Sequence, residues 1–198
     1  MSQVVLATHN AHKVDELRRI LAPQLPGVDV VAYDGPEPVE DGASFAENAL
    51  IKARSAAAHT GLPAIADDSG ISVEVLGGAP GIFSARWAGP ARDSGDNLRL
   101  LLWQVSDMAE EHRRASFTCV AALALPDGTE RFVTGVWPGM LLREPRGEGG
   151  FGYDPVFQPD GHAGSAAELT ADEKNRLSHR ARAFDQLVPL LRELLPVT

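Results

Sequence analysis

Cysteine is almost absent. The 198-residue sequence has one, Cys119, which cannot close an internal disulfide and suits a reducing compartment. No apolar run approaches the roughly 20 residues that a membrane helix needs, so a helical membrane protein is excluded and no membrane partner is expected. The stretch MSQVVLATHN has no basic region leading into an apolar one, and no secretory signal is expected. Positive charge is scarce as well: 18 Lys and Arg against 27 Asp and Glu leave a formal charge of −9. That balance makes nucleic acid a poor default partner, because backbone affinity comes largely from Lys and Arg. A small polyanion can still bind where local cations or a metal overcome the global field. No repeat, low-complexity tract or linker divides the chain, so residues 1–198 are expected to form a single domain.

What is present reads as alternating strands and helices. QVVLAT (3–8) has the character of a short buried strand, and NAHKVDELRRILAP then switches to helical spacing. In that stretch Asn10 is placed to cap, with Val14, Leu17, Ile20 and Leu21 on one face. VDVVAY (28–33) is a second strand, followed by the acidic loop DGPEPVEDG. Ser44 and Glu47 have the spacing of a capping box, opening a helix to about His59 with Gly61 as its stop. LPAIA leads into DDSG and ISVEVL resumes strand character. A long Gly/Pro-rich loop (77–95) then precedes a helix striped by Leu98, Leu101, Leu102, Val105 and Met108. ASFTCVAALAL and ERFVTGVW flank the turn PDGT and predict a long β-hairpin, with Cys119 as a packed small hydrophobe. A second capping box, Thr170 and Glu173, predicts a C-terminal helix carrying Lys174, Ser178, His179 and Arg180, kinked or restarted at Pro189. The pattern predicts an α/β fold with a mixed sheet.

Four stretches could carry chemistry. In THNAHK (8–13) a strand ends and a helix begins, so free N–H groups, the helix dipole and Lys13 together suit a phosphate. The glycines of a Walker A loop are missing, and an ordinary capped helix with an exposed lysine remains the alternative. In DDSG, strand alternation sends Asp67 and Asp68 to opposite faces, so one carboxylate can hold a metal while the other meets a lysine, an amide or a helix end. An acidic turn is the alternative. Further oxygen ligands could come from Glu37, Glu40 or Asp41, while Asn48 and Lys52 lie one helical turn apart and could face phosphates or solvent. In GGFGYDP (149–155) glycines allow backbone to approach a flat ligand, Phe151 or Tyr153 can stack on it, and Asp154 can accept from ring N–H groups.

Taken together, THNAHK, FAENALIKAR, PAIADDSG, GGAPGIFSAR, GGFGYDPVF and AAELTADEKNRLSHR resemble the inosine triphosphate pyrophosphatase family, in the family's order and over nearly the whole chain. The resemblance implies a two-lobed mixed sheet flanked by helices, with a central active-site cleft, and a cytoplasmic homodimer. It implies Mg²⁺-dependent hydrolysis of noncanonical purine nucleoside triphosphates (ITP, dITP, XTP) to the monophosphate plus pyrophosphate. Residue by residue, the family's Ser/Thr-x-Asn-x-x-Lys stretch falls on Thr8, His9, Asn10, Ala11, His12 and Lys13. The proton acceptor and metal ligand is Asp68, with Ser69 touching substrate, and the second metal ligand is Glu40, with Asp41 as the alternative. The base-binding loop falls on Phe151, Gly152, Tyr153 and Asp154, followed by Lys174, His179 and Arg180.

Such a site would favour hypoxanthine and xanthine by donating to their 6-oxo group, where adenine presents an amino donor instead. Two other readings compete: a nucleotide pyrophosphatase of different base preference, and a non-catalytic nucleotide sensor.

Overall fold

The computed structural model describes residues 2–195, without the side chains of Ser2, Ala11 and His12. Eleven main elements follow one another: β1 (Ser2–Leu6), α1 (Ala11–Leu21), β2 (Val28–Ala32), α2 (Phe45–Thr60), β3 (Ala64–Val73), α3 (Ser94–Gln104), β4 (Arg114–Ala124), β5 (Glu130–Leu141), β6 (Phe157–Pro159), α4 (Ala171–Leu177) and α5 (His179–Leu194). The strands form one sheet in the order β2-β1-β3-β4-β5-β6. β1 runs parallel to β2 and β3, and β5 antiparallel to β6, so the sheet is mixed as expected. β4 and β5 are sheet neighbours joined by a turn in which the Leu125 N–H donates to the Thr129 carbonyl at 2.9 Å.

The chain groups into two compact units. One takes the chain up to Asp68, Cys119–Gly135 and the chain from His179 on; the other takes Ser69–Thr118 and Val136–Ser178.

In the first unit, period-two alternation sorts each strand between two apolar layers. Val4, Leu6, Ile65, Cys119, Ala121 and Leu123 pack with Leu17, Ile20 and Leu21 of α1 and with Phe184, Leu187 and Leu191 of α5. Val5, Ala7, Ala64, Ala66, Val120 and Ala122 face the other way, onto Ala49, Ala53, Ala56 and Ala57 of α2. An all-alanine contact stripe lets α2 lie close to the strands and costs no helix propensity. Asn10 caps α1 as predicted, its side chain accepting from the Lys13 N–H.

Ser44 caps α2 by accepting from the Glu47 N–H, but the Glu47 carboxylate reaches the Ala43 N–H and not that of Ser44. The predicted reciprocal box is therefore shifted outward by one residue. Gly61 ends the helix in the left-handed region at φ 68°, which a residue with a Cβ rarely adopts.

The second unit has its own core of Ile71, Val73, Leu98, Leu101, Phe117, Trp137, Val156 and Phe157. The Phe157 ring meets Phe117 and Trp137 edge-on, at centroid distances of 4.7 and 5.4 Å. Phe117 thus packs here, whereas Cys119, buried as expected, packs in the first unit.

The predicted single C-terminal helix is two. The Thr170–Glu173 box opens α4, but Ser178 is extended (ψ 162°) and α5 starts afresh at His179. A Cβ on Gly135 would stand 2.2 Å from the His179 carbonyl and 2.4 Å from the Ala183 nitrogen, so β5 meets the first turns of α5 at backbone contact distance. Pro189 lies inside α5 without ending it. Pro189 and Asp185 are both exposed, so the missing hydrogen bond lies on the outer side of the helix.

Candidate active site

DDSG is not a turn: β3 runs through it without a break from Ala64 to Val73. Asp67 continues the face of Ile65, toward α1 and α5, and Asp68 continues that of Ala64 and Ala66, toward α2. Both are buried, 2% and 9% exposed. Two consecutive carboxylates in that setting each require a separate source of positive charge.

Asp67 Oδ2 receives Lys13 Nζ at 3.0 Å and Arg180 Nε at 3.3 Å, with Cys119 Sγ at 3.9 Å. Arg180 Nη1 donates in turn to Glu16 Oε2 at 2.8 Å. Lys13 and Glu16 are three apart on α1, and Arg180 stands in the first turn of α5, so two helices deliver one network. Arg180 and His179 are each 3% exposed.

On the opposite face Asp68 Oδ1 receives Lys52 Nζ at 3.2 Å, and Lys52 also donates to Glu40 Oε2 at 3.1 Å. Asn48 Nδ2 reaches Asp68 Oδ2 at 3.4 Å. The Asn48 amide is oriented from behind: its Oδ1 accepts the Gly42 N–H at 2.9 Å, which turns the NH₂ toward Asp68. A Cβ on Gly42 would lie 2.7 Å from that same oxygen, so only glycine allows this approach. Among the described residues, Glu40 and not Asp41 shares a cation with Asp68.

Further along α1's entrance, the Thr8 Oγ1 accepts the Asn10 N–H at 3.2 Å and His9 Nδ1 lies 3.3 Å from Glu37 Oε1. The side chains of Ala11 and His12 lie outside the described residues.

The second unit holds the other predicted group. Asp154 Oδ2 accepts the Phe151 N–H at 2.7 Å and Lys174 Nζ at 2.6 Å, and Lys174 sits 4.9 Å from the Phe151 ring centroid. The Asp154 carboxylate, 2% exposed, therefore closes its own loop and anchors Lys174. Tyr153 is also buried, and its hydroxyl donates to the Ser84 carbonyl at 2.8 Å. Gly152, at φ 64°, lets the loop turn between the two rings. Ser69 is the first residue of this unit, partly buried on β3.

A model of the Ham1 family matches residues 4–190. The chain belongs to the Ham1 family. It is 58% identical over 194 residues to a dITP/XTP pyrophosphatase of Leifsonia xyli, covering 98% of both chains. It is also 58% identical to a dITP/XTP pyrophosphatase of Streptomyces coelicolor, over 98% of this chain and 100% of that one. A solved HAM1 protein from Coxiella burnetii superposes with a TM-score of 0.88 at 41% identity, covering 98% of this chain and 100% of that one.

In this Ham1 chain the two aspartates differ electrostatically. Burial raises the Asp68 pKa above the ordinary carboxylate value, with Lys52 and Lys13 opposing and Glu40 adding to the rise. Burial lowers the Lys52 pKa, but Asp68, Asp67 and Glu40 outweigh it and the net shift is upward. Burial also raises the Tyr153 hydroxyl, which stays protonated as a donor.

Among the described residues no group of three or more His, Cys, Asp or Glu is placed to hold a metal. The pair Glu40 and Asp68 nevertheless fits a hard cation: both are oxygen donors, and they already converge on one positive centre, Lys52 Nζ. Magnesium is commonly held by one or two carboxylates together with substrate phosphates, which matches a two-ligand donor set.

Sequence reasoning gave Glu16 and Cys119 no part in the site, and for Asp67 offered a lysine, an amide or a helix end without saying which. The available signal was weak: Glu16 follows Lys13 by one helical turn, and Asp67 must face away from Asp68.

Proposed function

We propose that this Ham1 chain hydrolyses noncanonical purine nucleoside triphosphates (ITP, dITP, XTP) to the monophosphate and pyrophosphate, with Mg²⁺ held by Glu40 and Asp68. The observation that carries the reading is the convergence of buried Asp68 and exposed Glu40 on one cation, in a chain whose curated relatives are named dITP/XTP pyrophosphatases. A divalent cation there supplies charge neutralisation for the leaving pyrophosphate.

The remaining work falls to the chain's own groups. Asp68, held by Asn48 and Lys52, accepts the proton of the attacking water. Thr8, His9, Asn10, Ala11, His12 and Lys13 form the strand-to-helix entrance that receives phosphate, with Ser69 touching substrate beside Asp68. Phe151 offers a ring face for the purine, Tyr153 holds the loop through the Ser84 carbonyl, and Gly152 lets backbone approach the base. Asp154 acts by holding Lys174 and the Phe151 amide in place, and Lys174, His179 and Arg180 supply donors for substrate. Donation toward a 6-oxo group discriminates against adenine by roughly 10²-fold or more in kcat/KM, because a donor would otherwise meet a donor. A cytoplasmic homodimer, with neither nucleic acid nor membrane as partner, belongs to the same reading and is supported by the family resemblance. Among the described residues no helix is long and apolar enough to cross a membrane.

The test is a Mg²⁺-dependent assay of ITP, XTP, ATP, GTP and UTP with products resolved by phosphorus NMR. Monophosphate plus pyrophosphate from ITP and XTP is expected, with the others nearly inert. Orthophosphate would place the attack at the γ-phosphate and sink the mechanism. Turnover of another base would move the specificity, and nucleotide binding without turnover would make the chain a sensor.

A further inference from the structure

Lys52 is a strange neighbour for a metal site. Its ammonium stands 3.1 Å from Glu40 Oε2 and 3.2 Å from Asp68 Oδ1, the two oxygens assigned above to the cation. Its side chain is 14% exposed, so it bridges the carboxylates from within the protein and not from bulk water. A divalent ion entering between the same two oxygens meets a full positive charge at close range, with Lys52 and Asp68 largely out of solvent and Glu40 at the solvent edge. Glu40 and Asp68 are the carboxylates in contact with the ammonium, with Asp67 acting from farther off, and among the described residues no third acidic, His or Cys ligand joins them. The ammonium can leave only if another anion receives it, and nucleotide phosphates are anions of that kind.

We propose that Lys52 is the resident counter-ion of the metal corner: it holds Glu40 and Asp68 together until phosphates draw it away, so the metal enters with the nucleotide and not ahead of it. The inference rests on Glu40 and Asp68 being the metal ligands. It assigns the free enzyme a low affinity for metal alone and gives Lys52 two successive partners, carboxylate and then phosphate. It also explains how two acidic side chains remain close in the metal-free protein.

The experiment titrates Mn²⁺ alone, with no nucleotide, into the full chain and follows loss of the aqueous Mn²⁺ signal by electron paramagnetic resonance. Lys52→Met is expected to bind Mn²⁺ about tenfold or more tightly than wild type, since a nearby like charge is removed. Without metal it melts at a lower temperature than wild type, and Mn²⁺ restores more of that loss than it adds to wild type. Lys52→Gln, which keeps a donor on a side chain one atom shorter, gains affinity in the same direction and covers the case in which Lys52→Met does not fold. Adding Glu40→Gln to either variant removes the gain. Equal or weaker Mn²⁺ binding by both Lys52 variants overturns the counter-ion role and leaves the metal ligands standing. Tight Mn²⁺ binding that survives Glu40→Gln overturns both, because the ion then sits elsewhere.

Discussion

On the α1 and α5 side of β3, Asp67 meets two cations, Lys13 and Arg180, and its side chain is fully buried. On the α2 side, Asp68 shares the single ammonium of Lys52 with Glu40, and its side chain keeps 13% exposure. The first arrangement, counting Glu16 on Arg180, matches two carboxylates with two cations; the second leaves two carboxylates to one contacting cation. A buried ion pair with several hydrogen bonds is costly to break from one side, and this makes Asp67 a structural group. A carboxylate short of positive charge is open to a further cation and is easier to protonate, and this suits Asp68 to metal and water. Adjacent positions of one residue type thus carry different work because their faces differ in cation supply.

The sharpest way to break the comparison is Asp68→Asn. It is expected to lower kcat by roughly 10³-fold or more, about 4 kcal/mol of barrier, in a steady-state ITP assay. Its melting temperature should move little, because the change removes the burial penalty and one Lys52 partner together. Near-wild-type turnover would leave Asp68 without a catalytic part. The same group sets a pH dependence. Because burial raises its pKa, Asp68 takes up its proton at a higher pH than a solvated aspartate does as the solution is acidified. The acid limb of kcat/KM should therefore lie above the ordinary carboxylate range, and a limb at or below that range would contradict the assigned shift.

Asp67→Asn tests the other face. It leaves Lys13 and Arg180 with less negative charge in a buried setting and should cost about 3–5 kcal/mol of stability, read from urea unfolding. A variant as stable as wild type would remove the structural reading.

Asn48→Ala lies between the two in kind. It removes the amide that links Gly42 to Asp68 and leaves the Gly42 N–H without that acceptor, at a cost of about 1–3 kcal/mol. Part of that cost should appear as reduced kcat, and a stability loss alone would separate Asn48 from the site.

The smallest effect belongs to the exposed Arg54–Glu130 pair between α2 and β5, which is worth under about 1 kcal/mol. The Arg54 hydrogen bond lowers the Glu130 pKa, so this contribution is complete above the unfolded glutamate pKa and fades as pH falls through the lower folded value. Arg54→Ala should accordingly narrow its stability difference from wild type in acid; a difference independent of pH would mean packing and not charge.

Much of the fold was readable in the sequence. Asn10, Ser44, Gly61 and Thr170 mark helix ends because caps satisfy N–H and C=O groups within a few residues. The Ser178 break was not readable, since KNRLSHR has helical character throughout, whereas the first turns of α5 lie at backbone contact distance from Gly135, far earlier in the chain. Asp154 likewise looked like a hydrogen-bond acceptor for a base. Its acceptance of the Phe151 N–H is local, but the Lys174 contact comes from 20 residues away.

From the sequence, Asp67 and Asp68 point in opposite directions provided the strand runs through them, because a strand alternates whatever surrounds it; that β3 does so is a finding of the structure. The sequence also determined where most helices begin, and the order of motifs that marks a Ham1 chain. Only the tertiary structure decided which cation each aspartate meets. Lys52 lies 16 residues from Asp68, whereas Lys13 and Arg180 lie 54 and 113 residues from Asp67. No local rule spans such separations; packing of α1, α2 and α5 on the strands brings those charges to their places.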